Sequence, residues 1–64
     1  MAKELFAVTI GCTRVSVEEL NGKCYPKATG VVSRELQEAV DKYHGVMVKP
    51  EWLIKQLAML AKKI

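Results

Sequence analysis

The apolar stretch from Lys49 to Ile64 constrains the fold of this chain more than any other feature. Pro50 suits the first position of a helix, because that position needs no backbone N–H and its φ matches the value that the proline ring imposes. Glu51 in the first turn and Lys62 in the last complement the helix dipole. Leucine, isoleucine and alanine recur every three or four residues, so the stretch predicts a helix with a broad apolar face.

The breadth of this apolar face predicts self-association. A chain of 64 residues buries only about 60% of its unfolded surface, so its core is small and its stability is marginal. A second copy would cover apolar side chains that the chain cannot cover itself. We therefore expect a homo-oligomer, most simply a dimer. The predicted interface residues are Trp52, Leu53, Leu57, Met59, Leu60 and Ile64.

The first part of the chain predicts extended structure. Phe6, Val8 and Ile10 fall on alternate positions, which is the pattern of a half-buried strand. After Gly11 the apolar residues move to odd positions, beginning with Val15. A change of phase within a continuous strand requires a bulge or a bend, and glycine favours either, so we place it at Gly11.

Asn21-Gly22 predicts a tight turn between two antiparallel strands, because both central residues of a type I′ turn need a positive φ. A two-residue turn sets a register that pairs Leu20 with Lys23, Glu18 with Tyr25 and Val17 with Pro26. Because proline has no N–H to donate, the second strand should lie at a sheet edge or stop at Pro26.

A helical turn is the alternative for residues 15–20. Ser16 and Glu19 have the spacing of a capping box, in which each side chain bonds a backbone N–H at the start of a helix. The apolar residues in this segment recur with period two, which favours the strand.

A second amphipathic pattern begins at Ser33, a residue type that caps helices by accepting a backbone N–H. Its apolar stripe consists of Leu36, Ala39, Val40 and Tyr43. Gly45 should end this helix, and residues 46–48 are apolar enough for a short buried strand. The elements predict a single α+β domain over residues 1–64. A small antiparallel sheet, either an N-terminal hairpin or three strands, should pack on two C-terminal helices.

Residues that carry out catalysis or bind metal are sparse. His44 is the only histidine and stands at a predicted helix end, where histidine commonly acts as a cap. Cys12 and Cys24 are far apart in the chain and form no C-x-x-C motif, so they predict neither a zinc site nor a disulfide. The glycines are scattered and form no phosphate-binding loop. We expect no enzyme activity, no metal and no cofactor.

The net charge of +3 and the pI of about 9.0 permit contact with nucleic acid or another anionic surface. Lys23, Tyr25 and Lys27 alternate along the strand after the turn and should share one face, with Arg14 near the other end of the hairpin. Two lysines that flank an aromatic ring suit a phosphate backbone with a stacked base. They suit an acidic protein surface equally, and edge-strand lysines also occur without any partner.

We therefore expect a small basic binding module, a nucleic-acid-associated regulator that acts as an oligomer. The alternative is a protein-interaction or inhibitor module that docks by its sheet edge or last helix without nucleic acid. The segment 1–4 has no secretory signal pattern, which predicts a cytoplasmic, reducing environment. No apolar run approaches the roughly 18 residues that a membrane span needs.

Overall fold

The computed structural model describes residues 3–63 and consists of a three-stranded antiparallel sheet followed by two helices. The elements are β1 (Lys3–Ile10), β2 (Thr13–Leu20), β3 (Lys23–Gly30), α1 (Arg34–Lys42) and α2 (Pro50–Lys62). The strands pair in chain order, so β2 is central and β1 and β3 are the two edges. Both helices pack against the sheet, and the face that they cover is called the inner face below. The predicted α+β fold is confirmed, with three strands.

The turn between β2 and β3 has the predicted form. Asn21 and Gly22 have φ values of 54° and 79°, as a type I′ turn requires. The observed pairs are Leu20 with Lys23, Glu18 with Tyr25 and Val17 with Pro26, as predicted. Residues 15–20 therefore belong to a strand and do not form a helical turn.

The prediction of a bulge or a bend at Gly11 within one continuous strand was wrong. Gly11 and Cys12 form a two-residue turn, and Ile10 pairs with Thr13 across it. Of the two turn residues only Gly11 has a positive φ, 60°, which is the pattern of a type II′ turn. The apolar residues change from even to odd positions because the chain reverses at this turn. A two-residue turn pairs even positions of β1 with odd positions of β2, so both sets point to the same face. The register does shift in β1, but between Glu4 and Phe6.

The core lies between the inner face of the sheet and the helices. Its buried apolar side chains are Val15, Val17, Cys24, Leu36, Leu53, Ile54, Leu57 and Ala61. Phe6, Val8 and Ile10 are partly buried and pack against this cluster, which confirms the predicted face of β1. Burial of a leucine side chain contributes about 1.5–3 kcal/mol, so the fully buried leucines supply much of the stability.

Both helices begin as predicted. The Ser33 hydroxyl accepts a hydrogen bond from the backbone N–H of Leu36 at 3.2 Å and so caps α1. Leu36 is fully buried, and the remaining residues of the predicted α1 stripe are partly buried against the core. Pro50 occupies the first turn of α2, which continues to Lys62.

Pro26 removes no hydrogen bond between β2 and β3, because its nitrogen points away from β2. The N–H of Cys24 donates to the Val46 carbonyl at 2.9 Å, and the Cys24 carbonyl accepts from the Gly45 N–H at 2.8 Å. Both backbone groups of Cys24 therefore point away from β2. Backbone groups two residues apart in a strand point in the same direction, so Pro26 has no neighbouring strand to bond.

Residues 46–48 do not form the predicted buried strand. Val46 makes a single bridge to Cys24, and Met47 is 74% exposed. The Val48 carbonyl accepts from the Cys24 thiol, with 3.1 Å between sulfur and oxygen. The chain has to leave the edge of β3 to reach the start of α2, so the pairing stops after one bridge.

Candidate functional site

The face of the sheet opposite the helices carries the predicted binding residues. We call it the open face, and define it by the outward-pointing residues of β2 and β3. These are Arg14, Ser16, Glu18, Leu20, Lys23, Tyr25, Lys27 and Thr29. They share a face because side chains alternate along each strand and paired residues point the same way. The core uses the intervening residues, so substitutions on the open face can alter binding without removing core side chains.

Three of the predicted site residues lie in a row on β3. Lys23 and Lys27 are exposed, and Tyr25 between them is half-buried. Four residues of strand separate the two lysines by about 13 Å, with the tyrosine midway. The structure therefore brings the predicted pair of charges and the ring together on one surface.

Arg14 lies at the opposite end of the open face from Lys23. It pairs with Thr29, which is six residues, or roughly 20 Å, along β3 from Lys23. Its Nη2 atom is 3.4 Å from Oε1 of Glu4, and both side chains are about half exposed. An exposed pair of this kind contributes at most about 1 kcal/mol. The structure thus separates Arg14 from the turn and partly neutralises its charge.

Sequence reasoning missed His44 as a neighbour of this site. The His44 ring meets the Tyr25 ring edge to face, with 5.1 Å between the centroids and 80° between the planes. The contact depends on the hydrogen bond from the Gly45 N–H to the Cys24 carbonyl, which holds the end of the α1 region against β3. No local pattern predicts this contact, because it joins residues far apart in the chain.

A pocket of about 380 Å³ lies beside the aromatic pair. Its lining residues are Glu18, Leu20, Tyr25, Pro26, Lys27 and His44. Glu18 pairs with Tyr25 across the ladder, so the pocket has a carboxylate at its side and a lysine at its rim. It combines apolar and aromatic walls with a few polar groups, which is typical of small-molecule sites.

The predicted oligomer interface divides into two sets in the structure. Leu53 and Leu57 are fully buried within the chain, so their inclusion was wrong: in this fold they have no surface to offer a second copy. Trp52 and Met59 are exposed by 42% and 57%. Leu60 is partly buried. The remaining predicted interface residue, Ile64, lies outside the described residues.

A groove of about 360 Å³ runs beside Met59, between α1 and α2. Its lining residues are Glu35, Glu38, Ala39, Lys42, Tyr43, Gln56, Met59, Leu60 and Lys63. Next to it, the Trp52 ring meets the Tyr43 ring edge to face at 5.5 Å. Sequence reasoning assigned Ala39 and Tyr43 to the core and did not recognise that they also form one wall of this groove.

The two cysteines lie at opposite ends of the sheet. Cys12 is in the turn before β2, whereas Cys24 is paired with Glu19 near the other end of that strand. A separation of roughly 20 Å is far beyond the reach of a disulfide within one chain. Across residues 3–63, no three histidine, cysteine or acidic side chains group as metal ligands.

No helix within residues 3–63 has the length and hydrophobicity to cross a bilayer. Comparison of the chain with known proteins gave no match to a family model, a curated protein or a solved structure.

Proposed function

We propose that the protein is a small basic binding module whose open face contacts single-stranded nucleic acid, and that it acts as a regulator and not as an enzyme. The observation that carries this proposal is the row of Lys23, Tyr25 and Lys27. These side chains lie on one surface of a strand whose alternate residues are committed to the core. The two ammonium groups provide contacts for phosphates, and the ring provides a stacking surface for a base.

The distribution of charge on the open face supports this arrangement. Glu18 lies opposite Tyr25, so a phosphate would be repelled at the middle of the row and attracted at its two ends. A nucleic acid strand with phosphates at Lys23 and Lys27 and a base at Tyr25 satisfies all three residues. Arg14 would extend the contact beyond Lys27, where its interaction with Glu4 weakens its attraction for phosphate.

Fluorescence anisotropy with a labelled single-stranded oligonucleotide tests the proposal. The logarithm of the association constant should fall with the logarithm of salt concentration, with a slope of about −1.4 to −2.1 for two or three phosphate contacts. Lys23→Glu combined with Lys27→Glu should weaken binding by about tenfold or more and flatten this slope, because both phosphate contacts are reversed.

The matched control is Lys49→Glu combined with Lys55→Glu. These exposed lysines lie at the start of α2 and within it, and the double variant undergoes the same change in net charge. It should bind nearly as well as the parent. Equal losses in the two double variants would indicate attraction by overall charge alone, and unchanged binding by a folded Lys23/Lys27 variant would contradict the proposal.

The proposal includes a homodimer that forms through the groove between α1 and α2. The apolar part of this surface includes Tyr43 and Met59. Glu35 and Glu38 lie in the first half of α1 and Lys42 at its end. A two-fold axis across the groove would bring Glu35 against Lys42 of a second copy, whereas Glu38 already lies 3.7 Å from Arg34 in an ion pair. The surface is therefore self-complementary in charge, as an isologous interface requires.

Sedimentation equilibrium at micromolar concentration tests the dimer. Met59→Glu should shift the protein to monomer, because it places a charge in the apolar part of the interface. Met47→Glu is the matched control: Met47 is 74% exposed in the connection before α2, outside the groove, and its substitution should leave the dimer intact. A parent protein that is monomeric throughout the range would rule the dimer out.

The alternative function is a protein-interaction module that docks by a sheet edge, and β1 is the observation that favours it. β1 has no proline, whereas the β3 edge has Pro26 and is bridged at Cys24. An extended peptide could add to β1 as a fourth strand through main-chain hydrogen bonds. Such a partner should stay bound after nuclease treatment and at high salt, where a nucleic acid would be lost.

A further inference from the structure

We infer that the pocket beside Tyr25 binds a single unpaired base, and that the Glu18 carboxylate makes the pocket selective for guanine. This inference rests on the proposed function and extends it, because it names the chemical group that the open face recognises. The row of lysines and tyrosine alone predicts contact with any sequence. The pocket adds a shaped surface and a hydrogen-bond acceptor at the middle of the row.

The walls of the pocket suit a flat aromatic ligand. The Tyr25 and His44 rings stand at 80° to each other, so they form two sides of a corner. Leu20 and Pro26 add apolar surface. A base that enters this corner can stack on one ring and meet the other at its edge. Protein recognition of unpaired nucleotides commonly combines such stacking with hydrogen bonds to the exposed edge of the base.

Glu18 is the polar group that would read the edge of the base. It lines the pocket and lies opposite Tyr25 on the ladder. Within residues 3–63 its carboxylate has no salt bridge and no side-chain hydrogen bond, whereas Glu4, its ladder partner on β1, forms an ion pair with Arg14. When a phosphate strand binds this face, an unpaired carboxylate weakens the complex unless the ligand offers it hydrogen-bond donors. The amino and imino groups of a base provide such donors.

Guanine fits this acceptor better than the other bases do. Its Watson–Crick edge presents two adjacent donors, N1–H and the N2 amino group, which can bond both oxygens of one carboxylate. Cytosine and adenine offer a single amino group next to a ring acceptor, and thymine offers one N–H between two carbonyl oxygens. In cytosine, adenine and thymine a hydrogen-bond acceptor would therefore face the carboxylate. The negative charge of Glu18 repels that acceptor and so favours guanine over the other three bases.

The lysines complete the site on either side of the base. Lys27 lines the pocket itself, and Lys23 lies two residues beyond Tyr25 in the opposite direction. The phosphates that flank the bound guanosine can therefore contact one lysine each while the base occupies the pocket between them. In this arrangement the lysines supply affinity for any strand and Glu18 supplies the choice of base.

The first test compares oligothymidine strands that carry one central guanine or only thymine, with binding measured by anisotropy at fixed salt. The parent protein should prefer the guanine strand by about tenfold, the effect of a good bidentate contact to a base. Glu18→Gln should abolish this preference while it leaves binding of the thymine strand equal or slightly tighter. Glu19→Gln is the matched control, because it removes the same charge from the adjacent residue on the opposite face, and it should keep the preference.

The second test changes the probe and leaves the protein intact, so it does not depend on the folding of any variant. Replacement of guanine by inosine removes the N2 amino group and should eliminate most of the preference. Replacement by 7-deazaguanine alters the other edge of the base and should leave the preference intact. The reverse pattern, a loss with 7-deazaguanine and none with inosine, would contradict recognition by Glu18.

The possible failures are distinguishable. If the parent binds no strand, or binds without dependence on Lys23 and Lys27, the proposed function fails and the pocket inference fails with it. If binding depends on the lysines but guanine and thymine strands bind equally, only the pocket inference fails. The same conclusion follows if Glu18→Gln retains the full preference for guanine.

Discussion

The two faces of the sheet are built from the same strands but differ in how far they are buried. On the inner face, Val15, Val17 and Cys24 are completely buried against the helices. On the open face, the neighbouring residues include Lys23 and Lys27, both exposed. Strand alternation thus places residues that hold the fold together next to residues that are free to bind. The comparison predicts that substitutions of comparable size will have large effects on stability on one face and small effects on the other.

The largest effect on stability is expected in the core between the inner face and α2. Leu57 of α2 is fully buried, and its truncation to alanine should destabilise the protein by about 2–5 kcal/mol. A small domain has a total stability of only about 5 kcal/mol, so Leu57→Ala should be largely unfolded in chemical denaturation. The exposed Lys55→Ala on the same helix is the control and should unfold like the parent. A loss below about 1 kcal/mol for Leu57→Ala would contradict the observed packing of α2.

The next effect concerns two glycines with positive φ that differ in their surroundings. A Cβ atom on Gly30 would clash with the Cys12 carbonyl oxygen, whereas a Cβ atom on Gly11 would meet nothing within 4 Å. Both positions impose the left-handed strain of about 1–2 kcal/mol on alanine. Gly30→Ala also forces two backbone segments apart, so its free energy of unfolding should fall by at least about 2 kcal/mol. Thermal or urea unfolding of the pair measures this difference, and equal losses would contradict the contact between Cys12 and Gly30.

A smaller effect is expected at the one buried hydroxyl of the inner face for which the structure shows a partner. Thr13 is 2% exposed, and its hydroxyl donates to the Val31 carbonyl. Thr13→Val preserves the shape of the side chain but removes the hydrogen-bond donor. Its free energy of unfolding, measured in urea, should fall by about 1–2 kcal/mol. The exposed Thr29→Val on the open face is the matched control and should change stability by less than about 0.5 kcal/mol. A stabilised Thr13→Val variant would show that the hydrogen bond does not contribute.

The smallest effect on stability is expected where the effect on binding should be greatest. Lys23→Glu combined with Lys27→Glu should lower the free energy of unfolding by no more than about 0.5 kcal/mol per site, because both side chains are exposed. Circular dichroism and urea unfolding of the double variant provide this measurement. Substantial unfolding would show that the open face contributes to stability, and the proposed division between the two faces would then be lost.

Features that depend on residues close together in the chain could be predicted from the sequence. Asn21-Gly22 specifies a type I′ turn, and that turn sets the register of β2 with β3 over all eight pairs. Ser33 and Pro50 mark helix starts through local hydrogen bonding and ring geometry. The shared face of Lys23, Tyr25 and Lys27 follows from strand alternation alone.

Which apolar residues are covered, and which polar groups meet, depends on how the helices pack on the sheet. Leu53 and Leu57 belong to the same apolar helix as Trp52 and Met59, yet the sheet buries the first two and leaves the others exposed. Likewise, His44 meets Tyr25 only because the Gly45 N–H reaches the edge of β3. Periodicity defines the faces of each element but does not specify which face a distant element covers. That choice depends on packing between residues far apart in the chain, which a single sequence does not reveal.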